Sequence, residues 1–201
     1  MRLTLDQLGH RFGTAPWLFT DLAVELTGGD LCALTGQSGS GKSTLLSIIA
    51  GWQAPAAGRV IADGVTGTSW VAQNPFGVAT RSALDHVVLA LLARGRSRRE
   101  AEPLAREALD RFHLGPVADR PFSHLSGGEA QRLMLARATV TPAGLLLVDE
   151  PTAQLDTHSA ATVIDTLGQL ADAGRIVIIA THDPRVAATC TRAITLGQDG
   201  L

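Results

Sequence analysis

Gly36-Gln37-Ser38-Gly39-Ser40-Gly41-Lys42-Ser43-Thr44 is the stretch that decides the fold. It fits the phosphate-binding loop pattern G-x-x-x-x-G-K-[ST] at every fixed position. Lys42 is the only lysine in the chain; sixteen arginines supply the other side-chain cations. A lysine in such a loop is a compact point charge on a flexible stem, reaching the phosphates from below. A guanidinium is planar, forked and wider, and does not fit the same cradle. Leu31-Cys32-Ala33-Leu34 reads as a buried strand entering the loop, and Ser43 to Ala50 as a helix leaving it. Strand, glycine loop, helix is the order that aims backbone N–H groups and a helix N-terminus at an anion.

Outward from the loop, the N-terminal quarter gives short strands at Arg2 to Leu8 and Leu22 to Leu26. Arg59 to Ala62 and Ser69 to Ala72 follow, with Asp63-Gly64 as a turn between them. From Arg81 to about His113 the pattern becomes helical: Ala83, Val87, Leu91 and Leu92 share one face, and Glu100 to Phe112 is a second amphipathic helix. Leu145 to Val148 and Ile176 to Ala180 are unbroken apolar runs of strand length, the mark of a parallel sheet covered on both faces. His158 to Leu170 reads as the helix between them, completing a βαβ crossover. The ends of the chain thus build an α/β nucleotide-binding core, and the middle is a helical insertion.

Length and composition fit one domain, residues 1–201, with a sizeable core. The net charge of −2 gives no global field for nucleic acid or anionic lipid. Arg94-Gly95-Arg96-Ser97-Arg98-Arg99 is the one basic cluster and reads as a solvated helix start. Cys32 and Cys190 have no metal or redox spacing and suit a reducing compartment. Met1 leads straight into an alternating strand, so no signal peptide is expected. No apolar run approaches the ~20 residues that span a bilayer.

Two further stretches carry chemistry. Val148 ends its strand at Asp149-Glu150. An aspartate closing an apolar strand beside a phosphate loop is placed to hold Mg²⁺ with the Ser43 hydroxyl. Glu150 points to the other side of the strand line, where a carboxylate can orient or deprotonate a water attacking a γ-phosphate. Leu125-Ser126-Gly127-Gly128-Glu129-Ala130-Gln131-Arg132 gives an N-cap serine, two glycines that admit a ligand to the backbone, and a helix start.

In that residue order the last stretch resembles the signature of ATP-binding cassette proteins, and the resemblance extends over nearly the whole chain. Gly36 to Thr44 looks like the family's Walker A loop, Gln73 like its Q-loop glutamine, and Leu145 to Glu150 like Walker B with the adjacent catalytic glutamate. Ala153-Gln154-Leu155-Asp156 looks like the D-loop and keeps its aspartate; His182 looks like the switch histidine. Glu129 stands where glutamine is common, a known variant. The family stacks adenine on an N-terminal tyrosine, and this chain has no tyrosine; Phe12 resembles that position, with Trp17 as competitor.

The resemblance implies a P-loop NTPase core, mostly parallel with a small N-terminal antiparallel part, and a helical subdomain carrying the signature over roughly residues 74–138. It implies ATP and Mg²⁺ as ligands. Phe12, Gly36, Gln37, Ser38, Gly39, Ser40, Gly41, Lys42, Ser43 and Thr44 would bind nucleotide. Ser126, Gly127, Gly128 and Glu129 would do so across a dimer. Glu150, His182 and Gln73 would act in hydrolysis, with Ser43, Gln73 and Asp149 at the metal and Asp156 in the D-loop. Nothing local covers the γ-phosphate, so in the family two cassettes meet head-to-tail and each signature caps the other's nucleotide. The partners implied are transmembrane permease subunits and a second cassette, at the cytoplasmic face of the cell membrane, with no nucleic acid. The single small cassette, with no regulatory domain after its last strand, looks like those of export or lipoprotein-release systems. Two alternatives stay open: a cassette ATPase acting on DNA, and a monomeric P-loop kinase or GTPase. The first inserts long coiled coils, for which the stretch between Gln73 and Leu125 is too short and lacks sustained heptads. The second has no use for Leu-Ser-Gly-Gly.

Overall fold

Strand β1 (Arg2–His10) holds the centre of an antiparallel sheet, between β2 (Phe19–Thr27) and β4 (Ala57–Asp63). Leu3 and Leu5 point into the core by simple alternation. At Gln7 the alternation breaks. Its φ of 48° is left-handed, and the register slips against both neighbours, between Leu5 and Leu8 on one side and Asp6 and Gly9 on the other. This is a β-bulge, and the extra residue shifts the phase so that Leu8 and His10 become the inward side chains. The sequence reading ends the strand at Leu8; the bulge carries it to His10. Arg2–Glu25 at 3.4 Å and Arg59–Asp6 at 2.9 Å tie the outer strands to β1 on the exposed side.

The computed structural model describes residues 1–153 and 155–197, and the chain divides into two compact units. The first comprises Met1–Thr68, Ala143–Glu150 and the chain from Leu167 onward. Besides the antiparallel sheet it holds the parallel strands β6 (Leu145–Asp149), β7 (Ile176–Ala180), β3 (Leu31–Gly36) and β8 (Arg192–Leu196), adjacent in that order. Every residue of β6 and β7 is buried, as unbroken apolar runs require. Each such Leu, Ile or Val contributes about 1.5–3 kcal/mol over exposure. The parallel sheet and the small antiparallel part are both those expected from sequence. Helix α1 (Lys42–Ile49) follows β3, buries Leu45, Leu46, Ile48 and Ile49, and starts one residue earlier than expected. Helix α6 (Pro184–Thr189) follows β7, and β8 was not anticipated: Arg192-Ala-Ile-Thr-Leu is short and has an exposed arginine, alanine and threonine.

The second unit comprises Ser69–Pro142 and Pro151–Thr166. Strand β5 (Thr68–Val71) bridges the chain boundary between the units. Helices α2 (Ala83–Leu92), α3 (Arg98–Arg111) and α4 (Gly127–Val140) pack on one another. They bury Val87, Val88 and Leu91 from α2, Ala105 and Leu109 from α3, and Leu133 to Leu135 from α4. Ser97 and Glu100 form a reciprocal capping box at the start of α3, so the basic cluster is a capped helix start. Helix α5 (Thr157–Asp172) begins in this unit.

Gly58 lies opposite the bulge with φ +71°, and a Cβ there would overlap the Gln7 and Asp6 carbonyl oxygens. Gly58→Ala should therefore cost more than about 2 kcal/mol. Gly95, at φ +79°, has open space around it, so Gly95→Ala should carry only the backbone strain, about 1 kcal/mol. Thermal melts check this: the first variant should lose more than about 4 °C and the second about half as much or less.

Candidate active site

Three strand ends in the first unit bring the phosphate loop, two carboxylates and a histidine to one edge. β3 delivers the loop. Gly36, Gly39 and Gly41 have φ of 147°, 81° and 95°, and Gly41 is the N-cap of α1. A Cβ at Gly36 would come within 2.6 Å of Ser40 Oγ and 2.8 Å of Leu196 O, so only glycine admits this turn. Lys42 Nζ donates to Gly36 O at 2.9 Å and Gln37 O at 3.0 Å, which seats the ammonium over the mouth of the loop. Ser40 Oγ is buried and has no hydrogen-bond partner, an orphan in a loop otherwise built to present donors.

β6 delivers Asp149 and Glu150, which are 7% and 8% exposed. Ser43 Oγ donates to Asp149 Oδ2 at 2.7 Å. Burial pushes the Asp149 carboxyl above its ordinary range. The Glu150 charge pushes the same way, while the Ser43 hydroxyl and Lys42 ammonium pull it back. A desolvated carboxylate joined to a hydroxyl, both oxygen donors, fits a small hard cation such as Mg²⁺.

Glu150 takes a left-handed backbone, φ 47°, a conformation that costs a non-glycine residue about 1–3 kcal/mol. Its N–H donates to Ala180 O at 2.8 Å, which holds the turn. The turn aims the carboxylate away from Asp149 and toward the end of β7. There His182 Nδ1 donates to Glu150 Oε1 at 2.8 Å, and the His182 N–H approaches Oε2 at 3.4 Å. The His182 side chain is 71% exposed, so its other nitrogen faces outward from the pair. Thr181 N–H bonds Leu34 O at 3.0 Å, which ties this strand end to the one entering the phosphate loop. Asp183 caps α6, accepting from Arg185 N at 2.9 Å.

Both candidate base-stacking rings lie in the β1–β2 connection, which also leads to the phosphate loop: Leu18 and Phe19 pack against Gly41. Phe12 is 56% exposed and Trp17 43%. The Arg11 guanidinium covers a face of Trp17 at 4.7 Å from the ring centroid. Phe12 meets only the edge-to-face contact of His10 at 4.9 Å among the described aromatic pairs, which leaves it the freer ring.

In the second unit, Ser126 is the N-cap of α4. Glu129 Oε2 accepts from Ser126 N at 2.7 Å, and Ser126 Oγ accepts from Glu129 N at 3.3 Å. The Ser126 backbone N–H holds the Glu129 carboxyl below its usual range. Gly127 and Gly128 form the first turn of α4. Gln73 is exposed just beyond β5, and the neighbouring Ala72 O accepts from Gln131 Nε2 at 3.5 Å. Asp156 accepts from Ser159 N at 3.0 Å and Ser159 Oγ at 2.8 Å, and the backbone N–H of Ser159 holds its carboxyl low. Gln154 of the D-loop stretch lies outside the described residues.

The contacts of Gln131, Arg132 and Ser159 were not foreseen from the sequence. Arg132 donates to Phe112 O at 3.1 Å and Ser159 Oγ at 3.2 Å, so a signature-helix arginine reaches the D-loop aspartate through Ser159. Gln131 is 2% exposed and links α4 to the Gln73 segment. Only the Asp156-x-x-Ser159 cap spacing could have flagged any of them.

A family model described as ABC transporter matches residues 19–153. The lipoprotein-releasing system ATP-binding protein LolD of Bordetella pertussis (strain Tohama I) is 34% identical over 211 residues, covering 96% of this chain and 91% of that protein. The macrolide export ATP-binding/permease protein MacB of Salmonella choleraesuis (strain SC-B67) is 36% identical over 195 residues, covering 90% of this chain and 30% of that protein. A dimeric post-hydrolysis state of the ATP-binding cassette MJ0796 bound to ADP and Pi matches with a TM-score of 0.86 at 27% identity, covering 96% of this chain and 94% of that one.

The seat of Lys42 depends on a compact donor that can meet two loop carbonyls at once. Lys42→Arg should therefore damage nucleotide binding nearly as much as Lys42→Ala, by at least about tenfold in Kd. Calorimetric titration with ATP checks this; an arginine variant within about threefold of the parent would show that charge alone suffices.

Proposed function

This chain belongs to the ABC transporter family as an ATP-binding, ATP-hydrolysing subunit, and on that premise we propose how its residues do the work. The amides of the loop Gly36 to Thr44 and the Lys42 ammonium hold the triphosphate, and Phe12 stacks on the base. Ser43 and Asp149, with Gln73, would hold Mg²⁺, and the bound ion would supply neutralisation of phosphate charge.

Glu150 orients the attacking water and takes its proton as the water oxygen bonds to the γ-phosphorus. The bond from that phosphorus to the bridging oxygen breaks, and ADP leaves with the pair of electrons. His182 holds the Glu150 carboxylate in line through Nδ1. The observation that carries this reading is the strained Glu150 turn, whose carboxylate is delivered to His182 beside the Ser43–Asp149 pair.

The site is completed by a second cassette. Ser126 and the Gly127 and Gly128 amides of one copy cap the γ-phosphate held by the other, and Glu129 lies beside them. ATP thus closes the pair and hydrolysis opens it. The helical segment over residues 74–138 carries the signature, and Gln73 links it to the permease. No helix among the described residues is long and apolar enough to cross a membrane. In this reading the permease is a separate chain, and this subunit works at the cytoplasmic face of the cell membrane. The names of the lipoprotein-releasing and macrolide-export relatives support reading the system as one of export type.

Glu150→Gln should keep ATP binding and lower turnover by about 10²–10⁴, measured as phosphate release. A variant that retains more than about a tenth of the parent rate would mean another base acts. The split site has its own test. Parent activity should rise more than linearly with protein concentration. Lys42→Ala and Ser126→Arg, each inactive alone, should recover about a quarter of the parent's activity in an equal mixture, because about half of the pairs are mixed and one of the two sites in a mixed pair carries neither lesion. Activity independent of concentration, with no recovery on mixing, would place the whole site in one chain.

A further inference from the structure

His10 is a buried polar side chain that the hydrolytic reading leaves unused. It is 5% exposed, at the end of β1, and it is turned inward only because the bulge at Gln7 shifts the phase of the strand. Its Nε2 meets the Gln53 amide nitrogen at 2.7 Å. Its Nδ1 is buried with no hydrogen-bond partner. Whichever end of the Gln53 amide faces the ring, one bond is made at Nε2 and Nδ1 is left alone. Buried orphans of this kind are uncommon and unfavourable. Stability alone would be better served here by a phenylalanine or leucine, so the imidazole calls for another account.

The contacts of the ring supply it. His10 stands edge-to-face with Phe12, centroids 4.9 Å apart and planes at 85°. On another side it lies 6.4 Å from Phe19, and Phe19 packs beside Gly41 of the phosphate loop. Gln53 comes from the segment that leaves the end of α1, the helix that starts at Lys42. The backbone of the loop that carries Phe12 is tied by Ala15 N–H to Phe12 O at 3.0 Å and by Leu18 N–H to His10 O at 2.9 Å, while Gly13, at φ +55°, has nothing within 4 Å of a Cβ. The bond from Gln53 fixes the plane of the imidazole, and the fixed imidazole edge fixes the phenyl ring.

We infer that His10, locked by Gln53, is a positioning residue that sets the Phe12 ring at a fixed orientation to the phosphate helix, so that base and triphosphate are held in register. This rests on the reading that Phe12 stacks on the base. The phosphate end of α1 and the base platform are then one device. The covalent run from Lys42 to Gln53 and one hydrogen bond span it.

The test separates base from phosphate with the full chain and two probes, Mg-ATP and Mg-tripolyphosphate, followed by calorimetry. Gln53→Met removes the bond while keeping the length of a half-buried side chain; His10→Ala removes the ring. Each should weaken ATP by about three- to tenfold and leave tripolyphosphate within about twofold. His10→Phe, which keeps an edge-to-face ring, should recover most of the loss that His10→Ala causes. The double variant His10→Ala/Phe12→Ala should bind ATP no worse than Phe12→Ala alone, since both act through one ring. Equal losses on both probes would reduce His10 and Gln53 to fold stability and overturn the inference. So would a Phe12→Ala variant that weakens ATP while Gln53→Met does not. A Phe12→Ala variant with parent affinity for ATP would instead remove the base platform itself, and this inference with it.

Discussion

The parallel register of β6, β7 and β3 is the constraint on which the hydrolytic half depends. Asp149 stands opposite Ala180, and Ala180 opposite Leu34, so three strands from distant parts of the chain end at one level. The groups that follow those ends are the acid pair, His182 and the phosphate loop. Ligands of open α/β sheets bind at the carboxyl ends of the strands for this reason. A slip of one residue in any of the three would turn its side chains to the opposite face and scatter the groups. The register is protected by burial: Leu146, Val148, Val177 and Leu34 are fully enclosed, and none can be exposed without losing its share of the core.

Within that frame two adjacent carboxylates acquire different chemistry. Asp149 is still in the strand, desolvated and joined to the Ser43 hydroxyl. Glu150 is one residue on, but its left-handed backbone sends its carboxylate to a different partner. Side by side in a regular strand they would alternate faces and lie at a fixed separation. The strained turn instead joins one to the Ser43 hydroxyl and the other to the His182 imidazole, the separation on which the proposed roles of cation ligand and base rest. The strain is held by the Ala180 carbonyl and the His182 bond, so the cost falls on the same elements that use the result.

The phosphate loop, the buried strands and the N-cap at Ser126 were legible because each rests on a local rule: glycine at left-handed φ, unbroken apolar runs, a serine before a helix. The extent of β1 was not. Gln7 takes a left-handed conformation with no glycine to announce it, and the signal lies in its partner Gly58, distant in the chain. The roles of His10 and Gln53 were hidden for the same reason, because the inward turn of His10 follows from the bulge. Glu150 could be picked out as a candidate base from its place after the strand, but its bent backbone could not be foreseen. Arg132 and Ser159 meet only after α4 and the start of α5 have packed, and an arginine in a helix says nothing of its target. The preference for Phe12 over Trp17 as the proposed base platform rests on Arg11, whose stacking on Trp17 is a tertiary event.

The antiparallel sheet has two free margins, β2 and β4, and their backbone groups could pair with another chain. Both margins are defended by charge. Glu25 on β2 and Arg59 on β4 are held outward by their ion pairs to β1, and Arg192 spends a guanidinium donor on the Glu25 carbonyl at 3.3 Å. A strand arriving from a neighbour would meet these charges, and on β2 it would have to displace the Arg192 guanidinium from the Glu25 carbonyl. The sheet therefore discourages the runaway stacking that open sheet edges invite. For a subunit proposed to meet a second cassette through nucleotide and part from it again, such charged edges are a safeguard against sticking by the wrong surface.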